Sequence, residues 1–265
     1  MRYGFVISHG TPAEQVSQAE LAEQSGWDAV FVAEAGWYWD AWSLLTAMAM
    51  RTSRVRLGTM LTPAAWRRPW KLAAQVATLD QLSGGRAQVS IGLGAVDPGL
   101  GEFGETVDRR ERAERVDDAI DLMLALWSGE RAFSGRHVDV KLGEFSGAVR
   151  PVQSPPPIWV VAAWPSERSM RRAVRCGGVI PTAVGRPIDQ PMTPSELAEM
   201  LSWYDANGGR PADVIHEAET PVGVSADAAD LPAWADAGAT WWIESRWTAD
   251  SVAECVERIE AGPPR

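Results

Sequence analysis

With 265 residues, 46% of them hydrophobic, the chain is long enough for one α/β barrel with a large core and needs no second domain. A formal net charge of -10 and a pI near 4.9 repel phosphate backbones and anionic lipid surfaces, so neither nucleic acid nor a membrane is an expected partner. The two cysteines, Cys176 and Cys255, lack metal or redox spacing, Arg2 to Ser8 reads as a strand rather than a leader, and no apolar run reaches membrane-spanning length; a reduced cytoplasmic protein is expected.

Tyr3 to Ser8 is a short apolar strand whose end delivers Ser8, His9 and Gly10. Thr11-Pro12 opens a helix with Val16, Ala19 and Leu21 to Ala22 on its apolar stripe, and Gly26 ends it before the strand Asp28 to Ala33. Glu34 to Asp40 is a tryptophan-rich loop, and the helix Ala41 to Arg51 after it is apolar nearly all round. Val55, Leu57 and Thr59 to Leu61 form a buried strand that stops at Thr62-Pro63. From Pro69 the period becomes helical, with Leu72, Val76, Leu79 and Leu82, until Ser83-Gly84-Gly85 supplies the positive φ of a helix end. Ala87 to Leu93 is the next strand, running into the glycine-rich mouth Gly92 to Ala95. Strand, crossover helix and parallel strand make a βαβ unit.

Asp108 to Trp127 reads as a long helix with Ala113, Val116, Ile120, Met123 and Trp127 on one face. Dense turn residues between Phe133 and Val149 predict an inserted hairpin after this fourth helix. Pro155 to Pro157 lead into strand five, Ile158 to Ala163, then the helix Ser166 to Arg175 and strand six, Val179 to Ala183. Gly185 to Pro194 is a long loop before the helix Ser195 to Ala206; strand seven is Asp213 to Ala218. Leu231 to Ala237 is a short helix before strand eight, Thr240 to Glu244, and Ser251 to Ile259 closes the ring. Helix, glycine, strand recurs at Gly26, Gly84-Gly85, Gly177-Gly178 and Gly238, which predicts a wound βα fold.

The run from Arg54 to Gly104 also resembles the bacterial luciferase-like flavin-dependent monooxygenases and oxidoreductases. The resemblance rests on Thr62-Pro63 at a strand end, Arg68-Pro69 before a helix, Leu82 to Arg86 at its close and the glycine-rich strand end. Gly26-Trp27-Asp28, the helix ending at Trp127 and Pro155 to Trp159 extend it over most of the chain. It implies a TIM-like (β/α)8 barrel of the luciferase-like type with a short insertion after helix 4, spanning 1–265 as one domain. It also implies a small organic substrate and reduced FMN, supplied by a separate flavin reductase, for monooxygenation. Coenzyme F420, a deazaflavin, for hydride transfer is the alternative; flavin binding without catalysis is the competing class.

In such a barrel the chemistry lies at the C-terminal strand ends, which selects Ser8, His9, Glu34, Thr59, Thr62, Gly92, Gly94, Ala163, Trp164, Thr182, Glu219 and Glu244. Half of the fourteen tryptophans, Trp37, Trp39, Trp42, Trp66, Trp70, Trp164 and Trp247, fall in or near such loops, where they form an aromatic pocket or simply pack. The resemblance places the flavin phosphate on the Gly94–Ala95 backbone, an arginine of the next helix and the Trp164 to Ser166 turn, with Ser166 at a helix N-terminus. Arg109, Arg110, Arg112 and Arg115 crowd a helix start that disfavours cations, so Arg109 or Arg110 is expected to reach phosphate while the others pair with neighbouring acids. Many relatives carry an acid followed by histidine after strand two; here Ala35 follows Glu34, so Glu34 or His9 would have to take the proton-transfer role. Either residue could equally be structural. Scattered histidines and the absence of HExxH, GxSxG and Walker patterns leave no expected metal site or nucleophile. The two-faced helix Ala41 to Arg51 predicts a homodimer, with Trp42, Leu45 and Ala49 on one side and Leu44, Ala47 and Met48 on the other. Gly94 is read as a loop-facing position where an added side chain disturbs packing little.

Overall fold

The computed structural model describes residues 1–94, 100–144, 147, 149–186, 190–220 and 230–264. Eight parallel strands form its centre: β1 (Arg2–Ile7), β2 (Ala29–Val32), β3 (Arg56–Thr59), β5 (Ala87–Gly92), β8 (Ile158–Trp164), β9 (Gly178–Ala183), β10 (Asp213–Ala218) and β11 (Trp241–Ser245). They pair in the order β3-β2-β1-β11-β10-β9-β8-β5, and β5 returns to β3 through Leu57–Ala87 and Gly58–Gln88, which closes the barrel. The two-residue strand β4 (Thr62–Pro63) pairs with Ile91 and Gly92, and β6 (Ala132–Ser134) with β7 (Asp139–Lys141) is the expected antiparallel hairpin. Helices α1 (Pro12–Gln24), α2 (Ala41–Ala49), α3 (Pro69–Ser83), α4 (Arg109–Ser128), α5 (Glu167–Val174), α6 (Pro194–Ala206), α7 (Leu231–Ala237) and α8 (Val252–Glu260) alternate with the strands.

Local chemistry accounts for the helix ends. Thr11 and Thr193 each cap a helix through a reciprocal box with Glu14 and Glu196, Asp108 caps α4 through Glu111 N, and Gly84 ends α3 in the left-handed region. The strand read through Leu61 breaks instead at Thr59: after two residue pairs β3 leaves β5, and the chain returns to it only at Thr62. Two apolar layers result. One lies between helices and sheet; the other fills the barrel with Val6, Phe31, Met60, Trp159, Ile180, Ile215, Trp241 and Ile243.

Inside the barrel Trp159 and Trp241 meet edge to face at 5.1 Å. Arg2 lies over Trp241 and pairs with Asp213, which also accepts the Trp159 indole N–H at 2.9 Å. This aromatic plug fills the N-terminal end, so ligand space is left at the C-terminal mouth. Helix α2 corrects an expectation: packed beside α1 and α3, it buries Leu44 and Met48 as well as Trp42, Leu45 and Ala49, while Ala47 faces solvent. Apart from Ala47, the apolar side chains that motivated a dimer are covered within the chain. Among the described residues no helix is long and apolar enough to cross a membrane.

Candidate active site

A cavity of about 850 Å³ opens at the C-terminal mouth. Met60, Leu61, Val160, Val161 and Ile180 contribute apolar wall, and Trp37, Trp66, Phe103 and Trp247 bring aromatic side chains to it. Of the seven tryptophans assigned to loops, only Trp37, Trp66 and Trp247 line it. Trp42 is buried in the helix layer, and Trp39 and Trp70 point elsewhere.

Gly92 and Gly94 line the mouth of β5, yet both are also packing residues. A Cβ on Gly92 would stand 2.9 Å from both Leu61 methyls. One on Gly94, whose φ is +77°, would stand 2.7 Å from Pro63 Cβ and 2.9 Å from Trp66 Cζ2. The reading of Gly94 as a position tolerant of a side chain is therefore overturned. Ala95 lies outside the described residues.

Above this mouth the arginines divide in an unexpected way. Arg109 lines the cavity and has no ion pair among the described residues. Arg110 turns outward to Glu114 at 3.1 Å and does not reach the mouth. Arg112 is the buried one, 2% exposed, donating to Leu93 O at 2.6 and 3.2 Å and to Gly94 O. Burial, with Arg109 beside it, pushes its guanidinium below the ordinary arginine value, and no described carboxylate offsets its charge. Periodicity held the signal: the buried stripe Val116, Ile120 and Met123 extended back one turn lands on Arg112, and a further three residues on Arg109.

From the next element, Arg172 lines the cavity and is held by Asp117 at 2.8 and 3.1 Å. Ser169 Oγ accepts the Ala163 N–H at 3.0 Å and also faces the cavity, leaving its own proton free to donate. Ser166 caps α5 without a side-chain bond and does not line the cavity, and Trp164 packs into the helix layer. The serine expected at this turn is thus replaced by one three residues on, because the first turn of α5 rotates Ser169 inward.

Glu34 does reach the cavity from the end of β2, and its side chain is 7% exposed. Arg67 Nε donates to it at 2.5 Å and Thr62 Oγ1 at 2.6 Å; Thr59 Oγ1 lies 2.9 Å behind Thr62. Thr59 and Thr62 are wholly buried beside Glu34 and do not line the cavity. His9 does not line the cavity: its Nδ1 lies 2.8 Å from Ser8 Oγ and 3.7 Å from Cys255 Sγ. Sequence reasoning missed Glu217, which lines the cavity from β10 and accepts the Trp247 indole N–H at 2.6 Å. Glu244 is structural, fully buried against Arg258 at 3.3 Å, and Glu219 pairs with Arg246. Among the described residues no cluster of His, Cys, Asp and Glu is arranged to hold a metal ion.

Comparison with known proteins adds the lineage. Residues 3–260 match the family described as luciferase-like monooxygenase. The chain belongs to that family. A relative named F420-dependent glucose-6-phosphate dehydrogenase from Beutenbergia cavernae is 30% identical over 98% of this chain and 87% of its own length. The protein of the same name from Kineococcus radiotolerans is 30% identical over 96% and 80%. A monooxygenase from Streptomyces bottropensis superposes with a TM-score of 0.76 at 18% identity, covering 98% of each chain. An F420-dependent secondary alcohol dehydrogenase, solved with an F420–acetone adduct, gives 0.75 at 17% identity over 99% and 98%. These two likenesses show the shared barrel fold.

Proposed function

We propose that this luciferase-like oxidoreductase uses coenzyme F420 as its redox cofactor. The observation that carries a phosphate-bearing cofactor is Arg112, a buried cation at the β5 mouth with no described carboxylate against it and Arg109 beside it. An anion there would relieve a repulsion that the described residues leave standing. Arg109, Arg172 and Ser169 line the cavity and would hold the anionic part, with the charge of Arg112, buried on the Leu93 and Gly94 carbonyls, adding to theirs, and the apolar wall of Met60, Val160 and Ile180 suits a flat ring. The relatives whose names carry F420 favour the deazaflavin over reduced FMN, which would use the same pocket.

When bound, such a cofactor supplies the two-electron chemistry that no side chain here can carry. The chain's part is positioning, exclusion of water and charge. Glu34, held by Arg67 and Thr62, is fixed in one orientation at the cavity wall, where it can accept a hydrogen bond from a substrate hydroxyl. Thr182 adds a neutral hydroxyl from the end of β9.

The test is a titration of purified protein with F420, FMN and reduced FMN, followed by cofactor fluorescence or absorbance. F420 is expected to bind most tightly. Arg112→Met, which keeps the buried stem and removes the charge, should weaken binding about 10- to 100-fold; Arg109→Gln is the milder companion. Tighter binding of reduced FMN would favour the monooxygenase reading, and binding of none would refute both.

A further inference from the structure

We infer that the substrate of this cavity is a neutral or cationic molecule with an apolar ring and no anionic group, held at the end away from Arg109 and Arg172. The inference rests on the reading above for which end the cofactor takes. Strand order sets two ends apart. Arg109 and Arg172 come from the helices following β5 and β8, whereas Glu34 follows β2 and Glu217 sits on β10; in the ring these two strands flank β1 and β11, across from β5 and β8.

The far end carries surplus negative charge. One guanidinium, Arg67, serves two carboxylates, Glu34 and Asp40. Glu217 receives only the neutral Trp247 indole N–H, and no described cation reaches it. Arg246, the nearest arginine in sequence, is committed to Glu219 and Thr220 O. The two lysines of the chain, Lys71 and Lys141, do not line the cavity. By sequence the undescribed stretches 95–99, 187–189 and 221–229 hold no Lys, Arg or His.

A phosphate or carboxylate brought there would be desolvated against carboxylates with no uncommitted cation among the described residues to receive it. A ring against Trp37 and Trp247 meets favourable apolar and aromatic surface, and a positive group on it gains from the carboxylates and from the ring faces. The site therefore discriminates by charge, and a sugar phosphate falls on the rejected side.

A charge series on one ring tests this. Cyclohexylammonium, cyclohexanol, cyclohexanecarboxylate and glucose 6-phosphate are titrated calorimetrically into F420-loaded protein at low ionic strength. The ammonium is expected to bind at least about tenfold more tightly than the carboxylate, with the alcohol between them and the sugar phosphate weakest. Glu217→Gln should narrow the ammonium–carboxylate gap about threefold or more, and added salt should narrow it in the parent protein. Carboxylate or sugar phosphate binding as tightly as the ammonium, no ring binding at all, or a gap indifferent to both salt and Glu217→Gln would overturn the inference. If the chain binds no cofactor, the proposed function fails by itself, and the series is run with inorganic phosphate saturating the arginine end.

Discussion

Replacing Gly94 by alanine adds one methyl group where the backbone and its surroundings both refuse it. At φ +77° a side chain costs about 1–2 kcal/mol through the left-handed backbone alone. The new carbon would also stand 2.7 Å from Pro63 Cβ and 2.9 Å from Trp66 Cζ2, so it must displace a proline ring or a half-buried indole. Overpacking of this kind costs about 1–3 kcal/mol, which brings the total to about 2–5 kcal/mol. For a chain of this length that corresponds to a drop in Tm of roughly 5–15 °C. The assay is thermal unfolding of the ligand-free protein by circular dichroism. Gly177→Ala is the control, since its φ is not in the left-handed region and no heavy atom lies within 4 Å of the added carbon; it should stay within about 0.5 kcal/mol of the parent. A Gly94→Ala protein melting within about 2 °C of the parent would refute the packing argument, because that shift corresponds to no more than about 1 kcal/mol.

His216, stacked on Trp234 at 3.5 Å, is pushed down to about 3 by burial, so the unfolded chain binds one more proton than the folded one between about pH 3 and 6.5. Stability from this group is complete above pH 6.5 and falls as pH drops, by about 2 kcal/mol between pH 6.5 and 5; His216→Phe should remove that slope in urea unfolding at pH 7 and 5, and an unchanged slope would contradict it. The window stays above pH 5 because Glu114 and Glu196, held near 2 by their partners His137 and Arg186, add their own losses only at lower pH. Glu244→Gln leaves Arg258 buried without its carboxylate and should cost about 3–5 kcal/mol in denaturant unfolding. Changing both residues to Met should recover most of that loss, and equal damage in single and double variants would show that the pair is not the cause.

Much of the barrel was legible before any coordinates. Apolar runs, capping threonines and glycines at helix ends are local signals, set by backbone sterics and side-chain period. They placed seven of the barrel strands and all the helices to within a residue or two. The same period, carried one turn further, would have singled out Arg112 as the buried arginine. Glu34 at a strand end was also readable, since position along the chain fixes the end of β2.

Which way each side chain turns at the mouth was decided only by closure of the ring. In β10 the alternation puts Val214 and His216 among the helices and Ile215 and Glu217 inside the barrel, and that phase is set by pairing with β9 and β11. A strand of mixed polarity such as DVIHEA carries no local mark of its inner face, so Glu219 looked as eligible as Glu217. The tryptophans behave alike: fourteen identical side chains divide among plug, helix layer, cavity wall and outer surface according to neighbours distant in sequence. Gly94 differs from an ordinary strand-end glycine only because Pro63 and Trp66 return to its side through β4, a contact that no periodicity within β5 records.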